Sequence, residues 1–167
     1  MIFVCVGSRE YQFNRLLEKL DRLVEEGAIT DTIFAQIGAS TYLPKHYQYE
    51  RFISVDEFKR YQQEADLIIS HGGTGALIGA LKLGKQVIAV PRLAKYGEHI
   101  DDHQTQITSV LAAEGYLRSV LEMDQLLETI QSFKENPIDK RYNKPSRVVD
   151  IIKSFITNSD DFGRNSK

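Results

Sequence analysis

The glycine-rich segment HGGTG, at residues 71–75, holds the residue types best suited to binding an anion. It follows an apolar run at 67–70 and precedes a helical pattern. Glycines leave the backbone amides at a helix start uncrowded, and these amides carry the positive end of the helix dipole, which favours a phosphate or diphosphate. Thr74 can add a hydroxyl donor, and His71 a ring donor that strengthens on protonation. A tight turn without a ligand needs the same glycines, so both interpretations stay open.

The segment EHIDDH, at residues 98–103, has part of the spacing of a metal site. His99 and His103 lie four residues apart, with two aspartates between them. The glutamate precedes the first histidine, however, which is not the H-E-x-x-H order of zinc hydrolases. A solvated start of a helix is the commoner explanation, so we expect no metal here.

Two nucleotide-binding motifs do not fit the glycines. Gly73, Gly75 and Gly79 do not match G-x-G-x-x-G, and they come after the fourth apolar run instead of the first. The turn also lacks the lysine of a Walker motif. A dinucleotide or P-loop fingerprint is therefore not indicated.

The elements that position these residues follow from apolar patterning and from turn residues. Continuous apolar runs predict strands, and apolar positions three to four residues apart predict helices. The predicted strands are 2–6, 32–37, the region around Phe52 and Ile53, 67–70, 86–90 and a short sixth strand at Tyr116 and Leu117. The first predicted helix runs from Phe13 to near Gly27, the second begins at a capping box at Ser54, and the third runs from Gly73 or Thr74 to about Lys82. Three further helices are predicted within 101–115, within 122–136 and over 146–155.

Strands that alternate with helices predict an α/β protein with a single Rossmann-like, doubly wound parallel sheet. Ligands of such sheets bind at the carboxyl ends of the strands, which selects Gly7 and Ser8, the segment 71–75, and the loop after Pro91. We expect one domain over residues 1–157, followed by a disordered polar tail at 158–167.

Composition limits the class of partner and the compartment. With 21 basic and 23 acidic residues and a net charge of −2, the chain gives no electrostatic reason to bind nucleic acid. The single cysteine, Cys5, cannot form a disulfide framework and fits a reducing cytosol. No apolar run approaches the roughly 20 residues needed to span a bilayer, so we expect the chain itself to be soluble, which leaves open attachment to a membrane through a partner.

Several ordered blocks together resemble a known family. The blocks are SHGGTGALIGALKLGKQVIAVPR with EHIDDHQTQ, VCVGS with QFNRLLEKLDRL, and FAQIGASTYLPKH with EADLIISHGGTG. Over residues 1–120 they look like the nucleotide-sugar-binding, C-terminal half of GT-B glycosyltransferases of family 28 type. The likeness is to split enzymes, which include the catalytic subunit of the eukaryotic dolichol-linked N-acetylglucosamine transferase and two-chain bacterial capsule and exopolysaccharide transferases.

The resemblance implies a catalytic subunit of a two-chain inverting glycosyltransferase. Such an enzyme moves a hexose from a UDP-sugar to a polyprenyl-diphosphate-linked sugar in capsular or exopolysaccharide synthesis. The hexose predicted here is galactose, transferred in a β-1,4 linkage. A membrane-anchored subunit would present the acceptor and hold this chain at the cytoplasmic face of the cell membrane. No cofactor or metal is implied. A non-catalytic nucleotide-sugar-binding or enhancer subunit is the alternative, and a soluble UDP-sugar epimerase is a more distant one.

The resemblance also assigns roles to individual residues. The diphosphate cradle corresponds to Gly7, Ser8, His71, Gly73, Thr74 and Gly75, and His71 is the candidate catalytic residue. The nucleobase and ribose wall corresponds to Val90, Pro91, Arg92 and Leu93, and the sugar contacts to Asp102, His103 and Gln104. The catalytic base is expected on the partner, with His99 as a weaker candidate. Relatives place a ribose-binding glutamate eight residues after the histidine, where this chain has Gly79, so the ribose contact is in doubt.

Overall fold

The computed structural model describes residues 1–142, 150 and 154, and the statements below concern those residues. Its strands are β1 (Ile2–Cys5), β2 (Ile33–Gln36), β3 (Gln48–Glu50), β4 (Leu67–Ser70), β5 (Gln86–Ala89) and β6 (Arg118–Ser119). Its α-helices are α1 (Asn14–Glu25), α2 (Val55–Glu64), α3 (Thr74–Lys82), α4 (His103–Ala113) and α5 (Leu126–Glu135). Short 3₁₀ helices occupy Ala94–Tyr96 and Met123–Gln125.

The strands form one six-stranded sheet in the order β3-β2-β1-β4-β5-β6. Every neighbouring pair is parallel, with Cys5 opposite both Gln36 and Ser70. The order runs outward from β1 in one direction and from β4 in the other, so the sheet is doubly wound and the predicted fold class is confirmed.

Both faces of the sheet are covered, as a parallel sheet requires. Successive residues of β1 point to opposite faces, so Ile2 and Val4 join the core cluster under α1 and α5. Phe3 and Cys5 join the opposite cluster, with apolar residues of α2, α3 and α4. All four β1 residues are buried, which explains why this strand reads as a continuous apolar run.

The capping box predicted at Ser54 is confirmed. The Glu57 amide donates to Ser54 Oγ at 3.2 Å, and the Ser54 amide donates back to Glu57 Oε2 at 2.9 Å. These two bonds satisfy amides that the start of α2 leaves without helical partners. They fix where the chain leaves the loop that contains Phe52 and Ile53.

Two predicted strands are shifted in the structure. The third strand is Gln48–Glu50, because the edge of the sheet takes a polar segment, while Phe52 lies beyond it with 57% of its surface exposed. The sixth strand is Arg118–Ser119, because the Tyr116 amide instead closes the end of α4 on the Leu111 carbonyl at 3.0 Å.

The predicted helix over 146–155 and the predicted tail at 158–167 fall almost wholly outside the described residues. Within the described part, none of the helices combines the length and apolar character needed to cross a membrane.

Glycine at the end of β2 is required by the close approach of β1. Gly38 has a φ of +55°, and a Cβ there would overlap the Gly7 carbonyl oxygen. Gly27 has a similar φ of +71° but open space around it. We expect Gly27→Ala to lower the free energy of unfolding by about 1–2 kcal/mol through backbone strain alone, and Gly38→Ala by about 2 kcal/mol more. Urea denaturation of both variants measures this difference, and equal losses would contradict the overlap.

Candidate functional site

A cavity of about 1150 Å³ opens at the carboxyl ends of β1 and β4, where the strand order reverses. Gly7 and Ser8 follow β1 and line one side, and the segment 71–75 follows β4 and lines the other. Loops that leave a doubly wound sheet at this reversal diverge and leave a crevice between them. The structure therefore brings the two predicted loops together around one cavity.

The His71 ring is held in a narrow slot in this cavity. Its Nδ1 lies 3.1 Å from the Cys5 carbonyl oxygen, which has no hydrogen to donate, so Nδ1 carries the proton. A Cβ added at Gly7 would lie 2.7 Å from Nε2, and one added at Gly73 would overlap the ring. Glycine is therefore needed at both positions because the imidazole fills the space of a side chain.

His71 is neutral at pH 7 in the ligand-free protein. Burial and, second to it, the positive charge of Arg92 lower the pKa of the imidazole to about 4. Since the one ring proton is on Nδ1 and is donated to the Cys5 carbonyl oxygen, Nε2 offers a lone pair in this state. Donation from Nε2 to an anion, as the sequence suggests, requires a second proton taken up with the anion.

Helix α3 points its amino terminus at the same cavity. It begins at Thr74, its capping residue Gly73 has no side chain, and the first-turn residues Thr74 and Gly75 are exposed. A Cβ added at Gly75 would meet no atom within 4 Å. Unpaired amides, a dipole end and empty space together match the predicted cradle for an anion.

The loop after β5 contributes Arg92 to the cavity wall, whereas Val90, Pro91 and Leu93 are buried and lie outside the lining. Their backbone groups already have protein partners. Arg15 Nη2 donates to the Pro91 carbonyl at 2.9 Å, and the Leu93 amide donates to Glu98 Oε2 at 2.9 Å. Of the four predicted nucleobase and ribose residues, the structure thus brings only Arg92 to the cavity.

The three predicted sugar residues separate in the same way. Asp102 lies outside the lining because Oδ1 accepts the Ala94 amide at 2.8 Å and closes the 3₁₀ turn. His103 and Gln104, at the start of α4, line the cavity. Gln104 Oε1 accepts the Arg92 amide at 3.0 Å, which turns the side-chain NH₂ into the group that remains for a ligand.

His99 lines the cavity beside Asp101. Its Nδ1 accepts the Asp101 backbone amide at 3.3 Å and also lies 3.1 Å from Asp101 Oδ1, and its ring packs on Tyr11 at a centroid distance of 5.1 Å. When Nδ1 carries a proton, it can donate to this carboxylate, which is the arrangement that orients a general base. In the described part of the chain, no group of three or more His, Cys, Asp or Glu side chains is arranged to hold a metal ion.

An apolar wall completes the cavity, and the sequence interpretation missed it. We call Phe52, Ile53, Val55 and Phe58 the apolar wall; they line the end nearest β3 and the start of α2. Phe52 and Val55 are 57% and 70% exposed, although burial would be expected of such residues. The signal was an apolar pair placed directly before a helix cap, which the sequence pattern assigned to a strand.

Gly79 lies on α3 outside the cavity lining. A Cβ there would lie 3.2 Å from Gln62 Oε1, and Gln62 is buried and donates Nε2 to the Ala76 carbonyl at 3.1 Å. The space beside Gly79 thus belongs to α2. Another group must hold a ribose if one binds.

Comparison with known proteins identifies the family. The family model of the glycosyltransferase family 28 C-terminal domain matches residues 1–156. The chain belongs to this family. The family 28 domain thus covers every described strand and the whole cavity.

Curated relatives and solved structures agree with this assignment. The mouse UDP-N-acetylglucosamine transferase subunit ALG13 is 33% identical over 87 residues, which is 49% of this chain and 7% of the mouse protein. The matched part of this chain therefore spans less than a tenth of that relative's length. An NMR structure of ALG13 has a TM-score of 0.59 at 17% identity, covering 93% of this chain and 94% of that one. Acinetobacter baumannii MurG has a TM-score of 0.58 at 16% identity, covering 92% and 49%, so both share the fold.

The lowered pKa of His71 predicts a pH dependence of stability. The unfolded chain takes up the imidazole proton near pH 6.5, whereas the folded chain does so only near pH 4. Stability therefore falls as the pH drops through this window, because the unfolded state binds more protons. We expect His71→Gln to flatten the dependence between pH 6.5 and 4 in urea titrations. The exposed control His103→Gln should keep the wild-type slope, and an unchanged slope in His71→Gln would contradict a buried neutral ring.

The open space at Gly75 predicts opposite effects on folding and on binding. Alanine is the better helix former, so Gly75→Ala should raise the free energy of unfolding by about 0.5–1 kcal/mol. The same methyl group enters the cavity and should weaken binding of inorganic diphosphate, measured by calorimetry. Gly79→Ala, outside the lining, is the control with diphosphate affinity unchanged. Equal diphosphate affinity in Gly75→Ala and wild type would show that the cradle lies elsewhere.

Proposed function

We propose that this chain is the donor-binding, catalytic subunit of a two-chain inverting glycosyltransferase that uses a UDP-sugar. The partner is a membrane-anchored subunit that presents a polyprenyl-diphosphate-linked sugar. The chain works at the cytoplasmic face of the cell membrane, held there by the partner. The names of its relatives support a subunit of a UDP-sugar transferase.

The observation that carries the proposal is the division of one cavity into a positive and an apolar part. The amino terminus of α3 and Arg92 form the positive part, which the neutral His71 ring also lines, and the apolar wall forms the other. A UDP-sugar is divided in the same way as the cavity, because a flat base lies on one side of a charged diphosphate. Aromatic and aliphatic side chains suit the base, and fixed amides suit the diphosphate.

Transfer leaves negative charge on the departing diphosphate. Amides and a helix dipole that are already oriented stabilise this charge as it develops, and so favour the transition state over the bound donor. His71 Nε2 accepts a proton when the diphosphate raises the pKa of the ring, and then donates a hydrogen bond to it. Because these groups stabilise the negative charge of the diphosphate, the donor needs no metal ion or other cofactor.

Inversion requires the acceptor hydroxyl to attack the face opposite the leaving group, with a base to take its proton. The acceptor side of the cavity is open, and the base belongs to the partner. His99, oriented by Asp101, is the candidate that this chain itself offers.

The sugar lies near Gln104 and His103. The NH₂ of Gln104 can donate to a sugar hydroxyl while its oxygen stays on the Arg92 amide. The donor proposed is UDP-galactose, with a β-1,4 linkage formed during capsular or exopolysaccharide synthesis. The ribose is held by a group other than residue 79, since Gly79 provides no side chain.

A non-catalytic nucleotide-sugar-binding or enhancer subunit is the second candidate. Gly79 favours it, because the ribose-binding glutamate of relatives is absent there. The two candidates differ in one measurable respect: whether turnover of the assembled pair depends on the cavity of this chain.

Reconstitution with an acceptor-presenting partner tests the proposal. We expect lipid-linked product and UDP release from UDP-galactose, and less from UDP-glucuronate, UDP-glucose and UDP-N-acetylglucosamine. In His71→Ala, the loss of one preorganised donor should lower kcat by roughly 10²-fold or more while the pair stays assembled in size-exclusion chromatography.

The control is the exposed α2 residue Lys59, whose substitution by alanine lies outside the cavity. Unchanged turnover in an intact pair with His71→Ala would favour the enhancer role. No product from any UDP-sugar would overturn catalysis.

A further inference from the structure

Arg92 is a buried cation without an anionic partner. Its side chain is 1% exposed, and Nε has no hydrogen-bond partner among the described residues. Nη2 donates to the carbonyl of Val6 and, at 3.3 Å, to that of Tyr11. These contacts hold the loop between β1 and α1 but supply no negative charge. A buried guanidinium in this state is costly unless something else compensates it.

The nearby carboxylate of Glu98 is already committed elsewhere. Glu98 is fully buried, its Oε1 pairs with Arg15 Nε at 2.6 Å, and its Oε2 accepts the Leu93 amide at 2.9 Å. Within the described residues, no acidic side chain lies within 4.0 Å of the Arg92 guanidinium to form an ion pair. Arg15 thus forms an ion pair with Glu98, whereas the Glu98 charge reaches Arg92 only from beyond 4.0 Å.

Arg92 lies directly against the anion cradle. It lines the same cavity as Gly7, His71 and Gly73, and its charge acts on the His71 ring. The carbonyls it holds, Val6 and Tyr11, flank the loop that carries Gly7 and Ser8. An anion seated in the cradle would therefore meet a positive charge that is fixed by packing and that no accessible pH removes.

We infer that Arg92 is the counter-ion of the donor diphosphate and not a nucleobase or ribose contact. The inference rests on the proposed function, since it names the charge that the UDP-sugar site uses. It gives the site a permanent cation beside the neutral His71, so that diphosphate binding does not depend on proton uptake alone. It also makes the diphosphate the part of the ligand that accepts a hydrogen bond from Arg92 Nε, the buried donor that has no partner among the described residues.

Calorimetric titration of the full 167-residue chain with uridine, UMP and UDP tests the inference. Arg92→Gln removes the charge but keeps an amide donor for the loop carbonyls. We expect its affinity for UDP to fall by about 10-fold or more, for UMP by less, and for uridine not at all, because charge-assisted bonds are lost in proportion to ligand charge. Arg92→Lys should restore part of the preference for UDP.

Arg51→Met is the matched control. Its guanidinium also binds backbone carbonyls of a neighbouring loop, at 3.0 Å for Ser40, but it lies outside the cavity lining. We expect all three ligands to bind this variant as they bind the wild type. Equal losses of affinity for uridine, UMP and UDP in Arg92→Gln would show that Arg92 only holds the loop between β1 and α1, and would overturn the inference. An unchanged affinity of Arg92→Gln for all three ligands would overturn it too.

A measurement on the wild-type chain covers the case in which Arg92→Gln does not fold. The Arg92 Nε–H resonance should shift on adding UDP and stay in place on adding uridine. If other resonances of the cavity respond to UDP and this one does not, the inference is wrong. If the wild-type chain binds UDP no more tightly than uridine, the proposed diphosphate site itself fails, and the inference fails with it.

Discussion

A single carbonyl oxygen organises the functional end of this protein. The Cys5 oxygen accepts both the backbone amide and the ring Nδ1 of His71, each at 3.1 Å. This pair of bonds joins the ends of β1 and β4 at the reversal of strand order and fixes the tautomer of the ring. The ring then requires glycine at 7 and 73, and those glycines set the path of the chain into α3. The cradle is thus a consequence of how two strands end.

The electrostatics of the cavity follow from where the acidic side chains point. The chain as a whole carries a net charge of −2, yet Glu98 and Asp102 are turned onto backbone amides of the loop that precedes α4. Their charge stabilises that loop instead of facing the ligand. The charged groups that line the cavity are Arg9, Arg92 and Asp101, and the start of α3 adds the positive end of its dipole, so the sign of the cavity is positive. A slightly acidic protein can therefore hold an anionic ligand through local arrangement.

The sequence predicted the alternation of strands and helices, the capping box at Ser54 and the meeting of the loops after β1 and β4, because each depends on local patterning. It could not separate Arg92 from its neighbours in the loop after β5. Which of those residues faces the cavity is decided by long-range bonds from Arg15, Glu98 and Gln104, and such bonds leave no periodic pattern. Phe52 and Ile53 of the apolar wall were misassigned for a related reason. Apolar residues that line a cavity show the same sequence pattern as apolar residues that are buried in a strand.

The two parts of the cavity sit on regions of very different packing. The cradle rests on the central strands, where Cys5 and Ser70 are fully buried, whereas Phe52 and Val55 stand exposed beside the edge strand β3. Changes at Phe52 and Val55 disturb little of the core, and changes at Gly7, His71 and Gly73 disturb much of it. The residues at the periphery of the cavity can accordingly vary at little cost in stability, while those of the cradle stay under the same constraint as the fold.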